Sequence, residues 1–369
     1  MRSEASVVKG NPARATAQWG LSFRRSLSEA VLQPMPCHFK KRVGRAKPIS
    51  CSILELLILV TLPFVAGPTA SASDRMTPAD TEARIVGVKR LDARILDLTV
   101  RSPAMGGTVP VRVILPASWR SKPTRTYPTL YMLHGGEDDY TSWTRETDVE
   151  ELAKDSEALI VMPDGGRNGQ YSDWHVGWPR WETFHTRELP RLLKRKLRAN
   201  STRAVIGLSM GGLGALNYAG RNPGMFRYAA SFSAIVDLDD PGLRAFLWLY
   251  NASHDNELIK AWGDPKEHPG IWDSHNPSAM ATAYRGMRIH LSAGTGDLGP
   301  LDEGRDVDSV LPSMSEGMLA PSQKRFARAL RAAGVDVTTH VYKPGTHSWP
   351  YWKRELHLIW PAVVRELRA

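Results

Sequence analysis

Cysteine is almost missing from this chain of 369 residues: Cys37 and Cys51 are the only two, and both precede residue 52. The rest of the chain therefore has no thiol nucleophile, no disulfide and no cysteine ligand for a metal. Long apolar runs are missing too. Residues 56–66 are apolar, but Glu55, Pro63 and Pro68 interrupt the stretch well short of the ~20 residues that span a bilayer. There is no His-Glu-x-x-His spacing and no other clustered histidine pattern, so neither a metal site nor a cofactor is expected. An excess of one charge is also missing once the chain is divided. Residues 1–72 hold 10 of the 48 Lys and Arg but only 3 of the 38 Asp and Glu, and so carry +7 of the net +10. Residues 73–369 keep only +3, too weak a field to argue for a nucleic-acid partner.

What is present begins with a leader. Residues 1–52 are basic and aperiodic, with Lys40, Lys41, Arg42, Arg45 and Lys47 ahead of the apolar stretch. Ala70-Ser71-Ala72 then has the small-x-small form of a cleavage site. This is the layout of a secretory signal, and it predicts export with cleavage near Ala72, an uncleaved anchor being the alternative. The leader is unusually long, which leaves Met35 beside Met1 as a candidate start of translation. Arg24-Arg25 lies too far from the apolar core for a twin-arginine signal, and Cys51 precedes that core, so it is no lipoprotein cysteine. Residues 73–369 are expected to form one domain, held by a core of the size that about 300 residues can bury.

The domain reads as α/β. Alternation at 93–100 and 109–115 predicts two antiparallel strands at one edge of a sheet. Apolar runs at 129–133, 158–162, 204–206, 229–232, 289–291 and 335–338 follow, separated by helical stretches near 143–156, 180–199, 210–221, 315–333 and 350–367. Runs apolar throughout, alternating with helices, predict a mainly parallel sheet with helices on both faces. Residues 238–287 break this rhythm. Their apolar piece 245–250, with Trp248 and Tyr250, suggests a cap that supplies an acyl pocket; a surface excursion that merely packs is the plainer reading.

The motif that carries chemistry is Gly207-Leu208-Ser209-Met210-Gly211, directly after the apolar run 204–206. Glycines two residues either side of a serine let a strand turn sharply into a helix and lift the hydroxyl clear of the sheet. A serine hydroxyl needs a base to take its proton. Of eleven histidines, His340 falls in a strand, His357 in the last helix, and His254, His268 and His275 in the insertion. His347, in Lys343-Pro344-Gly345-Thr346-His347-Ser348-Trp349, occupies the loop after the last strand and is the expected base. The acid that would orient it is less legible: Asp297 directly follows a strand, while Asp302, Glu303, Asp306 and Glu316 lie beyond it. An oxyanion would be held by the amides of Met210 and Gly136, the latter from the loop His134-Gly135-Gly136. His134, Trp349 and Trp352 are the expected substrate contacts.

Further stretches recur in one order: Ile160-Val161-Met162-Pro163 with Gly165-Gly166, Tyr171-Ser172-Asp173-Trp174, and Trp181-Glu182-Thr183-Phe184 with Glu188-Leu189-Pro190. With the serine motif, and with Gly345-Thr346-His347-Ser348-Trp349 and Tyr351-Trp352, they make residues 127–352 resemble the antigen 85 mycolyltransferases. The likeness extends to the wider esterase group around them, including S-formylglutathione hydrolases. It implies an α/β-hydrolase fold and a Ser–Glu–His triad. Counting back from His347, the family's glutamate falls on Glu316 with one single-residue gap, which leaves Asp297 as second choice. The aspartate and arginine that hold trehalose in antigen 85 enzymes appear as His134 and Glu137. That reversal of polarity argues against trehalose as acceptor.

These readings converge on an exported serine carboxylester hydrolase of small-molecule or lipid acyl esters, in the cell envelope or outside the cell. An acyltransferase using an alcohol or sugar is the second expectation, and an idle surface-binding protein the third.

Overall fold

The computed structural model describes residues 82–252, 257–303 and 310–368. The leader 1–72 with both cysteines, His254 and Asp306 lie outside the described residues. Among the described residues nine strands form one sheet: β1 Arg84–Arg90, β2 Ile95–Ser102, β3 Gly107–Ile114, β4 Tyr127–Leu133, β5 Leu159–Pro163, β6 Ala199–Leu208, β7 Tyr228–Phe232, β8 Arg288–Gly294 and β9 Asp336–Tyr342. Their spatial order is β1-β2-β3-β5-β4-β6-β7-β8-β9. The β1–β2, β2–β3 and β3–β5 pairs are antiparallel, and every later pair is parallel.

Successive side chains of a strand point to opposite faces, so one apolar run can feed two cores. Tyr131 and Leu133 of β4, Leu159 and Val161 of β5, and Val205 of β6 enter one core. Their neighbours Leu130, Met132, Ile160, Met162, Ala204, Ile206 and Leu208 enter the other. Helices α1 (Leu189–Lys196), α2 (Met210–Arg221), α3 (Pro241–Ala252), α4 (Glu257–Trp262), α5 (Pro269–Ser274), α6 (Val310–Ala332) and α7 (Trp349–Arg368) cover the sheet and its ends. The first core takes Leu192 from α1, Leu216 from α2 and Leu330 from α6. The second takes Trp352, Leu356, Ile359, Val363 and Leu367, one stripe of α7.

Two expectations are corrected. The antiparallel edge has a third strand, β1, which pairs only with β2 and leaves Val86 and Val88 exposed. Only Ile85 packs against the core, partly buried, so the strand leaves little alternation to read. The helix expected over 143–156 is two short ones, Ser142–Glu146 and Val149–Leu152. Thr147 interrupts them: its backbone is extended (φ −130°, ψ 176°), and its hydroxyl donates to the Trp143 carbonyl while accepting the Val149 N–H at 3.2 Å. A side chain that competes for helical partners in this way ends the helix.

The insertion carries α3, α4 and α5 and makes a small core of its own, where Leu238, Leu247, Leu258, Trp262 and Trp272 pack on Leu213 of α2. Trp262 also donates its indole N–H to Ser172 Oγ at 2.9 Å.

Candidate active site

At the carboxyl end of β6 the chain reaches Ser209 with φ +52° and ψ −122°, a region costly for any residue with a Cβ. Three hydrogen bonds hold it there. The Ser209 N–H donates to the Phe232 carbonyl at 2.8 Å, and the Ser209 carbonyl accepts from Gly212 and Leu213 at 3.0 and 3.1 Å. The flanking glycines are needed for space: a Cβ at Gly207 would meet the Gly211 carbonyl oxygen at 2.1 Å. A Cβ at Gly211 would lie 2.4 Å from the carbonyl oxygens of Leu133 and His134. The turn is therefore pressed directly against the end of β4.

His347 arrives on the loop after β9. Thr346 donates its hydroxyl to buried Asp302 at 2.6 Å, the Gly345 N–H donates to the Asp297 carbonyl at 2.9 Å, and Tyr351 donates to Asp302 at 2.7 Å. These bonds present the ring with Nε2 3.0 Å from Ser209 Oγ and Nδ1 3.0 Å from Glu316 Oε1. Glu316, on α6, is fully buried, and its other oxygen accepts the Gly294 N–H at 2.8 Å. A carboxylate can only accept here, so Nδ1 carries the hydrogen and the Nε2 lone pair faces the serine. The Trp352 ring meets His347 edge-on at 5.0 Å, and its indole N–H donates to Ser233 Oγ at 3.0 Å.

The other candidate acids are elsewhere. Asp297 is half exposed, accepts Thr295 Oγ1–H at 2.6 Å and faces Lys343 Nζ at 3.5 Å. The Thr295 bond, then Lys343, holds its carboxyl below the usual range. Glu303 is exposed, and Asp302 is spent on the loop.

An open cavity of about 260 Å³ lies over the serine, lined by Gly135, Gly136, Asp138, Leu208, Ser209, His347, Ser348, Trp349 and Trp352. Met210 opens α2, so its amide is among the first-turn donors that have no acceptor within the helix. Trp349 and Trp352 line the cavity as expected substrate contacts would. Asp138 and Ser348 also line it and were not read from the sequence, since a loop carboxylate and a loop serine give no pattern to find. Trp248 is exposed, whereas Tyr250 brings the insertion to the cavity's edge: its hydroxyl donates to Asn168 Oδ1 at 3.0 Å and would lie 2.7 Å from a Cβ at Gly136.

His134 is the clearest correction. It is 1% exposed and is absent from the cavity wall. Its Nδ1–H donates to the Gly135 carbonyl at 2.8 Å and its Nε2 accepts the Gly165 N–H at 2.8 Å. Burial pushes its pKa down. At the end of β4 the side chain at 134 turns inward, and the two glycines after it face the cavity.

His185 lies in the same buried layer, accepting Tyr218 O–H at Nδ1 (2.8 Å) and donating from Nε2 to the Asp164 carbonyl (2.9 Å). Burial lowers its pKa from 6.5 to about 3. A group depressed in the fold stabilises fully above its unfolded pKa and loses that contribution as pH falls, because the unfolded chain takes the proton first. Lowering pH from 8 to 5 is expected to cost about 2 kcal/mol through this group. The gap in urea-unfolding free energy between wild type and His185→Gln should shrink by that amount, and a constant gap would assign the pH dependence elsewhere.

This arrangement has relatives. The Esterase family matches residues 102–362 of the chain. The chain belongs to that family. Among individual esterases and their kin, an esterase of Mycobacterium tuberculosis is 33% identical over 277 residues, covering 72% of this chain and 58% of that protein. The chain thus spans less than two thirds of that relative's length. The diacylglycerol acyltransferase/mycolyltransferase Ag85B of Mycobacterium leprae is 32% identical over 321 residues, covering 83% of this chain and 94% of that enzyme. The crystal structure of M. tuberculosis MPT51 superposes with a TM-score of 0.63 at 21% identity, covering 75% of this chain and all of that one. That likeness establishes the α/β-hydrolase fold for this esterase-family chain.

Proposed function

We propose that residues 73–369 are a serine carboxylester hydrolase working through an acyl-enzyme, exported by a leader cleaved near Ala72. The reading rests above all on His347 standing 3.0 Å from both Ser209 Oγ and Glu316 Oε1. Ser209 Oγ attacks the acyl carbonyl carbon as its proton passes to His347 Nε2. The carbonyl oxygen becomes an oxyanion, held by the N–H groups of Gly136 and Met210. Collapse expels the alcohol, which takes the proton from Nε2. Water then repeats the sequence on the acyl-enzyme, losing its proton to Nε2, and frees the carboxylic acid and Ser209. Glu316 keeps the ring in the required tautomer and stabilises the imidazolium. Export is supported by the leader's layout, and no described helix is long and apolar enough to cross a membrane. A place in the cell envelope or outside the cell follows from it.

The cavity volume of about 260 Å³ is small for a ligand pocket. Pockets for drug-sized ligands run from about 300 to 1,000 Å³. A short or aromatic acyl group suits this volume, resting against the wall that Trp349 and Trp352 form by packing edge-to-face at 5.4 Å. Hydrolysis of p-nitrophenyl butyrate is expected to exceed that of the laurate at least about tenfold in kcat/KM. A profile rising toward long chains would overturn this substrate class.

Acyl transfer is the second reading, favoured by the 32% identity with Ag85B across nearly all of that enzyme. It differs only in which hydroxyl enters second. Product analysis with and without glycerol or sugar acceptors decides it: free acid alone supports hydrolysis, and acylated acceptor supports transfer. Failure to label with a fluorophosphonate probe would remove both and leave an idle binding protein.

A further inference from the structure

The oxyanion donor assigned to Gly136 belongs to the peptide unit that joins Gly135 to Gly136. In a trans peptide the C=O of one residue and the N–H of the next point in opposite directions across a rigid plane. Whatever grips the Gly135 carbonyl therefore aims the Gly136 amide. His134 Nδ1–H grips it, at 2.8 Å. The grip comes from the buried side, and both glycines line the cavity on the other.

We propose that His134 is a positioning residue that orients the Gly136 N–H toward the oxyanion. The proposal rests on the serine-esterase reading above.

Only one form of the ring can do this. The Gly135 carbonyl accepts, so Nδ1 must carry a hydrogen; the Gly165 N–H donates to Nε2 at 2.8 Å, so Nε2 must be bare. The ring is thus neutral and fixed as a single tautomer by two backbone groups, one on each side. Its own backbone is held as well, since Tyr171 donates its buried hydroxyl to the His134 carbonyl at 3.0 Å. The next amide along the loop is not available to an oxyanion: the Glu137 N–H donates to the Arg167 carbonyl at 2.7 Å. Gly136, one residue earlier, lines the cavity itself. Removal of the substrate-facing role first expected of His134 does not take it out of the reaction; it acts one bond further back.

Two substitutions separate this role from plain core packing. Asn carries an N–H where His134 has Nδ1 and no group at Nε2, whereas Gln reaches the Nε2 position and has no donor at Nδ1. His134→Asn is expected to keep kcat on p-nitrophenyl butyrate within about fivefold of wild type. His134→Gln is expected to lose about 10- to 100-fold in kcat with KM little changed, because an aimed oxyanion donor matters in the transition state and not in substrate binding. The Ki of a short alkyl trifluoromethyl ketone, which binds as a tetrahedral adduct, should weaken in step with kcat. A reversed order, Gln active and Asn impaired, would assign His134 to the Gly165 contact alone and overturn the proposal. Equal kcat in both variants and wild type would overturn it too. The underlying reading fails differently: wild type would then show no turnover that depends on Ser209.

Discussion

Ser209→Ala should lower kcat/KM on p-nitrophenyl butyrate by about 10⁴- to 10⁶-fold while leaving the fold intact. The size follows from what the hydroxyl alone supplies. Without Oγ no acyl-enzyme forms, and what remains is the acceleration the oxyanion donors and binding give to direct attack by water. The fold should survive because the side chain's contribution is one hydrogen bond to His347 at 3.0 Å, and the turn is held by backbone bonds that alanine keeps. Alanine meets the same cost at φ +52° as serine does. Melting within a few degrees of wild type, with fluorophosphonate labelling abolished, is the expected outcome. A variant that keeps a tenth of the activity would place the nucleophile on another side chain.

The acid should respond almost as strongly. Glu316 serves two donors at once, the His347 Nδ1–H and the Gly294 N–H, with one oxygen for each. Glutamine has one oxygen and one NH2 in the same place. If its oxygen stays on Gly294, its NH2 faces Nδ1 and drives the ring to the tautomer whose Nε2–H cannot take the serine proton. If the oxygen faces Nδ1, the Gly294 N–H loses its buried acceptor. Either arrangement is costly, and Glu316→Gln is expected to lose about 10³- to 10⁴-fold in kcat. Asp297→Asn, at a half-exposed carboxyl engaged with Thr295 and Lys343, should change kcat by less than about twofold. The opposite ranking in parallel assays would transfer the acid's role to Asp297.

What could be read ahead of the structure differs by residue, and the difference has a physical basis. Ser209 and His347 sit where the backbone itself makes demands: two glycines at fixed offsets from the serine, a glycine-marked loop after the last strand. Such demands are written locally. Glu316 is reached only after a long excursion beyond β8, and no local rule says which of five carboxylates returns to the histidine; the family likeness singled it out. His134 falls where the family places an aspartate that holds an acceptor, yet the chemistry of a side chain at a strand end says nothing about which way it turns. The parallel strands were legible in their buried runs, and β1 was not, because an edge strand with exposed Val86 and Val88 has only partly buried Ile85 to mark an inside. Thr147, which divides the helix after β4, acts through a hydroxyl that competes for partners, something periodicity does not register.

Gly211 rests on the carbonyls of Leu133 and His134 with no side chain between them. The spacing between the two amides that would receive the oxyanion is thereby a main-chain dimension, set by one strand end lying against one helix start. Substitutions across the surrounding surface can retune which esters enter without resizing that gap, whereas a single methyl group at position 211 would act as a wedge and open it.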